Sequence, residues 1–138
     1  SDTTDVHGIA GALALGGDIA AMGTRFIATP ESGVVDGHRN MIPEEGMDNI
    51  IASAAMNGVP AHWMRSSVEA VGLDPNTLPD ARTDMPEGVL PWRDIWSAGQ
   101  SVGLIDTVEP VASLVDRLAS EFEKLDAVPD WRTRLTKF

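Results

Sequence analysis

The sequence predicts an α/β fold, mostly helical, with one strand that needs partners outside the chain. Three observations predict it. The first is the stretch Gly16–Ser32, GGDIAAMGTRFIATPES, which reads as a helix end, a tight turn and the short apolar run Ile19–Met22. A run without polar alternation suits a strand covered on both faces. The second is Gly23-Thr24, where that strand stops, giving a backbone that a ligand can approach closely and a hydroxyl beside it. In a (β/α)8 barrel the end of the eighth strand sits at such a corner and commonly holds half of a phosphate site. The third is imbalance: roughly four or five helices are predicted against one strand. A lone buried strand leaves both edges unpaired, which is costly. The strand is therefore paired by a partner chain, by a symmetry mate or by the rest of a (β/α)8 TIM barrel of which this chain would be the C-terminal part.

Composition narrows the function. The 138 residues fall within the usual size of one domain. There are no cysteines, so disulfides and thiolate metal sites are excluded, which fits a reducing compartment. A cytoplasmic location is the expectation. The net charge of -11 argues against nucleic acid and against anionic membranes as partners. No apolar run approaches the ~20 residues of a membrane span. The opening SDTTDVHGIAG lacks the basic region of a signal peptide and begins in mid-motif, as though chain upstream had been cut away.

Each element has its own signal. Asp5 suits an N-cap, and Val6, Ile9, Ala10 and Leu13 place one apolar stripe on a short helix. Gly16-Gly17 ends it, because glycine accepts the left-handed conformation past a helix. Thr29 and Pro30 suit the N-cap and first position of another short helix. Gly33–Asn40 reads as loop leading into a turn of helix. Met47–Met56 fits either a helical stripe or a short strand over Asn49–Ser53. Gly58 and Pro60 close it, Ala61–Val71 reads as helix, and Gly72 ends that. Leu73–Val89, rich in Pro, Asp, Asn and Gly, reads as a long ordered loop. Trp92, Ile95 and Trp96 share a helical face, and Ala98–Gly103 is a glycine-punctuated turn. Thr107 is placed to cap the clearest helix, whose stripe runs through Val111, Leu114, Val115, Leu118, Phe122 and Leu125. Pro129 marks its end, before the basic tail Asp130–Phe138.

Each chemistry-bearing residue also admits an ordinary packing role. His7, His38 and His62 have no second His or carboxylate at ligand spacing, so no metal site is expected. His7 reads as solvated and His62 as packed beside Trp63. His38 lies in a polar stretch where a substrate-side acid or base is the minority reading. Arg25 suits either a phosphate or an outward ion pair. Glu44, Glu45 and Asp48 read as a solvated helix end, and Met41, Met47, Met56 and Met64 as core filler. Trp92 and Trp96 suit burial against a neighbour. No Ser-His-Asp set has a supporting context and GxGxxG does not occur, so hydrolase and Rossmann readings have no support.

GIAGALALGGDIAAMGTRFIATPES resembles the last βα units of the nitronate monooxygenase family, once called 2-nitropropane dioxygenases. GVPAHWMRSS, AVGLDPNTLP, WRDIWSAGQSVGLI and PVASLVDRLASEFE follow in the family's order, so the resemblance runs from about Gly8 to Phe122. It implies an FMN-dependent (β/α)8 barrel whose members oxidise alkyl nitronates with molecular oxygen, giving a carbonyl product and nitrite. Relatives act as FMN enoyl-thioester reductases or acyl-CoA oxidoreductases. The family's phosphate site uses backbone N–H groups after strands seven and eight, and its second half matches Gly23 and Thr24. The first half is normally a Gly-Gly-Ile turn, where this chain reads Ser1-Asp2-Thr3. The family's active-site His has no corresponding position here, so no catalytic residue is assigned. The resemblance further implies that the Ala98-Gly99-Gln100 turn returns toward the flavin. Gln100 and Ser101 are then expected at its edge, with Trp96 as a wall.

Together these readings divide the chain into 1–32, the last αβ unit with half of the phosphate site, and 33–138, a mainly helical extension and lid. The expected partners are FMN, a small-molecule substrate (nitronate or acyl thioester) and the rest of the barrel, with a homodimer as the alternative assembly. The rival from another class is a non-catalytic helical module that self-associates through its exposed strand edge.

Overall fold

A computed structural model describes residues 3–125. Helix α1 (Val6–Ala14) begins where Asp5 accepts a hydrogen bond from the Gly8 N–H at 2.8 Å, as a capping aspartate should. It ends in a Schellman turn: Gly17 N–H donates to the Ala12 carbonyl and Gly16 N–H to that of Leu13, both at 3.0 Å, with Gly16 at φ 93°. Only Val6 of the predicted stripe is buried; Leu13 is exposed.

Ile19–Met22 departs from the expected strand. The segment is neither paired nor covered, and Ile19 is 86% exposed. Nothing in the described chain offers the neighbouring strands that would pair and bury it. Next comes a helix the sequence did not suggest, the single turn α2 (Thr24–Ile27). Thr29 and Pro30 do not open a helix. They sit in a turn in which the Thr29 hydroxyl donates to Phe26 O at 2.8 Å. Helix α3 (Asp36–Met41) follows.

The two readings of Met47–Met56 resolve as strand. Strand β1 (Ile50–Ser53) pairs antiparallel with β2 (Ala61–Met64), in the register Ile50–Met64 through Ser53–Ala61. The predicted helix over Ala61–Val71 therefore loses its first four residues to a strand and survives as α4 (Arg65–Ala70), with Gly72 at φ 83° beyond it. Because successive strand residues face opposite ways, the hairpin divides the core. Ile50 and Met64 pack with Ala28, Ile42, Ala98 and Val102, while Trp63 packs with Met56, Val68 and Ile95. Met56 and Met64 fill core as expected; Met47 is exposed.

Leu73–Val89 contains no helix or strand. Trp92, Ile95 and Trp96 are not helical: the chain crosses itself in a bridge between Pro91 and Ile95, and Trp92 has φ 70°. Helix α5 (Val111–Leu125) buries Leu114 and Leu118 but leaves Val115 and Phe122 exposed beside Ile9 and Leu13 of α1. Thr107 does not cap it. The Glu31 carboxylate does, accepting from Val111 N–H at 3.0 Å. Pro129 and the basic tail lie outside the described residues. No described helix is long and apolar enough to cross a membrane.

Candidate functional site

The sequence's Gly-Thr corner and its Ala-Gly-Gln turn meet in space. Thr24 opens α2 and is 8% exposed; its Oγ1 accepts from Gly99 N–H at 2.9 Å across 75 residues of chain. The turn itself is pinned from behind. Met64 N–H donates to Trp96 O at 2.9 Å, Trp96 N–H donates to the buried Ser67 hydroxyl at 2.9 Å, and Ser67 donates in turn to Met64 O at 2.8 Å. So α2, the end of β2 and the start of α4 jointly fix the turn.

Around this junction lies an open cavity of about 320 Å³. Gly23, Thr24, His62, Trp92, Ala98 and Gly99 are among its walls, and no Asp, Glu, Lys or Arg lines it among the described residues. Gly23 has helical φ and ψ, and a Cβ placed on it would meet nothing within 4 Å. Neither its backbone nor its neighbours in the chain demand a glycine. Thr24, with its oxygen already accepting from Gly99, keeps its hydroxyl hydrogen to donate.

The other predicted residues stand nearby without lining the cavity. Gln100 is exposed at the start of the short 3-10 turn Gln100–Leu104. Ser101, one residue on, is buried, and its Oγ has no hydrogen-bond partner among the described residues. Trp96 does not line this cavity. Its ring stacks on His38 at 5.6 Å and 8°, and its Nε1–H donates to Arg93 O at 2.9 Å. Trp92 is the aromatic at the cavity, more than half exposed, and it rests on Trp63 at 4.4 Å. His62 does not pack beside Trp63 but is exposed to the cavity on the opposite face of β2.

Arg25 serves neither predicted role. It is buried, donates to Thr107 O at 2.8 Å and pairs with Glu109, which Arg117 also engages. Those contacts, the Arg117 hydrogen bond foremost, hold Glu109 below the usual carboxylate range. His38 is buried on α3 rather than in a polar loop. Its Nε2 lies 3.0 Å from Ser97 O, so Nε2 carries the hydrogen. Burial lowers its pKa below the ordinary 6.5, against a smaller opposing effect of that bond. Glu45 is buried and accepts from Ser66, so it is not a solvated helix end. No cluster of His, Asp and Glu suited to a metal occurs among the described residues.

Residues 3–121 match the family model described as nitronate monooxygenase. The chain belongs to the nitronate monooxygenase family. Among members of the nitronate monooxygenase family, the enzyme so named from Paraburkholderia phytofirmans is 31% identical to it over 133 residues. That match covers 87% of this chain and 36% of the relative, so the chain spans little more than a third of that protein. A protein of Mycobacterium tuberculosis named (3aS,4S,5R,7aS)-5-hydroxy-7a-methyl-1-oxo-octahydro-1H-indene-4-carboxyl-CoA dehydrogenase is 33% identical over 64 residues, covering 46% of this chain and 18% of its own length. The solved structure of FabK from Thermotoga maritima superposes with a TM-score of 0.66 at 30% identity, over 91% of this chain and 43% of that one. A point mutant of the same protein gives 0.65 at 27% identity, over 91% and 40%. The fold is a partial TIM barrel, as the sequence implied, and this chain supplies a minority of it.

Proposed function

We propose that this chain is the cofactor-phosphate and lid portion of an FMN-dependent oxidoreductase that oxidises alkyl nitronates with O2. One observation carries the reading: Gly23 and Thr24 present an open glycine backbone and an oriented hydroxyl to a cavity shared with the Ala98-Gly99 turn. These residues fit a phosphate. A hydrogen bond from a hydroxyl to an anion is shorter and roughly twice as strong as a neutral one, and a missing Cβ lets the anion reach backbone. Gly23 and Thr24 would hold the phosphate, and the buried, unpartnered Ser101 hydroxyl and Gln100 would serve the flavin's edge. Bound FMN would supply the electron chemistry, taking electrons from the substrate and passing them to oxygen. The chain's own residues bind, orient and exclude water, and no proton-transfer residue is assigned among them.

Titration of FMN into the protein, followed by flavin fluorescence, tests this. Thr24→Val is expected to weaken FMN about 10-fold or more, since a hydrogen bond to a charged group contributes about 1.5–3 kcal/mol. Gly23→Ala, which meets no clash inside the chain, is expected to keep the fold and still weaken FMN. Unchanged affinity in both variants overturns the phosphate assignment. A colourless preparation that is tightly dimeric favours the self-associating module instead.

A second reading, oxidation or reduction of an acyl thioester, is favoured by the carboxyl-CoA in the name of the Mycobacterium tuberculosis relative. Competition by free coenzyme A at the FMN-loaded protein separates the two: a nitronate pocket ignores the pantetheine arm.

A further inference from the structure

We infer that Trp92 and His62 form the substrate-selecting wall of this cavity, and that they favour a ligand with a flat conjugated body ending in an uncharged or delocalised oxygen acceptor. The inference rests on the proposed function only in using the same cavity. Its two residues lie apart from the Gly23-Thr24 corner in sequence and do not share that corner's role.

Trp92 is held in place at a conformational cost. A φ of 70° is an outlier for a bulky residue, and such strain persists where surrounding contacts over-determine it. Those contacts are present. Trp92 N–H donates to Ile95 O at 3.1 Å, and Asp94 N–H donates to Leu90 O at 3.0 Å while the Asp94 carboxylate accepts from Leu90 N–H at 2.8 Å. Behind the indole stands Trp63, fully buried and fixed by its Nε1–H bond to Ser53 O at 3.1 Å. A rigid, backed indole that remains exposed at a cavity mouth offers a flat π surface, and flat rings prefer to lie offset on such a surface.

His62 supplies the polar end. Strand alternation that buries Trp63 turns His62 to the cavity, opposite Ala52 in the register. No Lys or Arg stands on this wall among the described residues, so the donor that His62 offers a ligand is an imidazole N–H, suited to a conjugated carbonyl or nitronate oxygen.

The test uses two neutral probes of matched length, flat trans-cinnamamide and buckled 3-cyclohexylpropanamide, titrated into the FMN-saturated full chain. Wild type is expected to prefer cinnamamide by at least fivefold. Trp92→Gly removes the ring and suits the positive φ, so the fold is kept; it is expected to abolish the preference while changing FMN affinity less than twofold. His62→Phe is expected to weaken both amides by a similar factor and keep the preference. The inference is overturned if wild type shows no preference, if the preference survives Trp92→Gly, or if Trp92→Gly weakens FMN as much as the amide. Failure of FMN to bind wild type sinks the cofactor reading instead; the probes, then titrated without it, still decide the wall.

Discussion

Thr24 shows what a single residue contributes. Its oxygen orders the Gly99 turn and leaves its hydrogen to donate, so in the proposed reading one hydroxyl serves both packing and binding. Gly37 is the opposite case, a glycine required by packing: a Cβ there would lie 2.5 Å from the Trp96 ring. Gly37→Ala should therefore lower stability by about 1–3 kcal/mol, the usual cost of overpacking, read as a shifted urea midpoint. His38, stacked on that same ring, sets a pH dependence. Its folded pKa lies below 6.5, so the neutral form is the one the fold accommodates. Stability should be full above pH 6.5 and decline as pH falls from there through the lowered folded value. Urea midpoints at pH 7 and pH 5 check this, and His38→Gln should flatten the slope. At this scale the sequence is informative about Asp5 and Gly16, where local chemistry decides the outcome. It misplaces His62 and Trp92, whose positions follow from a strand and a left-handed bend that local propensity does not announce.

The elements differ in how legible they are for a physical reason. Helix α5 carries a long amphipathic stripe and is plain, and the Gly16-Gly17 stop of α1 is equally so. Strand β2 reads as helix from sequence because AHWM is too short to show alternation; its pairing with β1 decides it. Once Ala61–Met64 is strand, the opposed faces of His62 and Trp63 follow at once. The start of α5 escapes a local reading because its cap comes from Glu31, 80 residues away, and no sequence window spans that distance. Glu31→Ala should cost about 0.5–2 kcal/mol, the range for losing a capping side chain. Thermal unfolding with circular dichroism at 222 nm reads it, and Glu31→Gln should recover part of the loss by keeping an acceptor oxygen.

For the whole molecule, the chain spans 36% of the nitronate monooxygenase relative and 43% of the FabK structure described above, and the surface left by Ile19 and Leu15 is open. The family and the barrel are legible because their motifs are local and come in order. The conformation of Ile19–Met22 is not, since a strand there depends on neighbours the described chain does not contain. Charge holds the late segment in place. Glu109 joins buried Arg25 to Arg117, and removing it would strand a buried guanidinium. Glu109→Ala should cost about 1–3 kcal/mol, the range for leaving a buried donor without its partner. Arg25→Met combined with it should recover much of that, which denaturation of the double variant checks.

Every wall of the candidate cavity belongs to residues up to Gly99. Yet further ties on α2 and the turn after it come from beyond Gly99: Thr107 and Glu109 on Arg25, and Val111 on Glu31. A polypeptide stopped at Gln100 would thus own all the pieces of the pocket and keep the Thr24–Gly99 hydrogen bond but lose these distant straps, and it should quench flavin fluorescence less than the full chain does, for want of residues that lie outside the cavity.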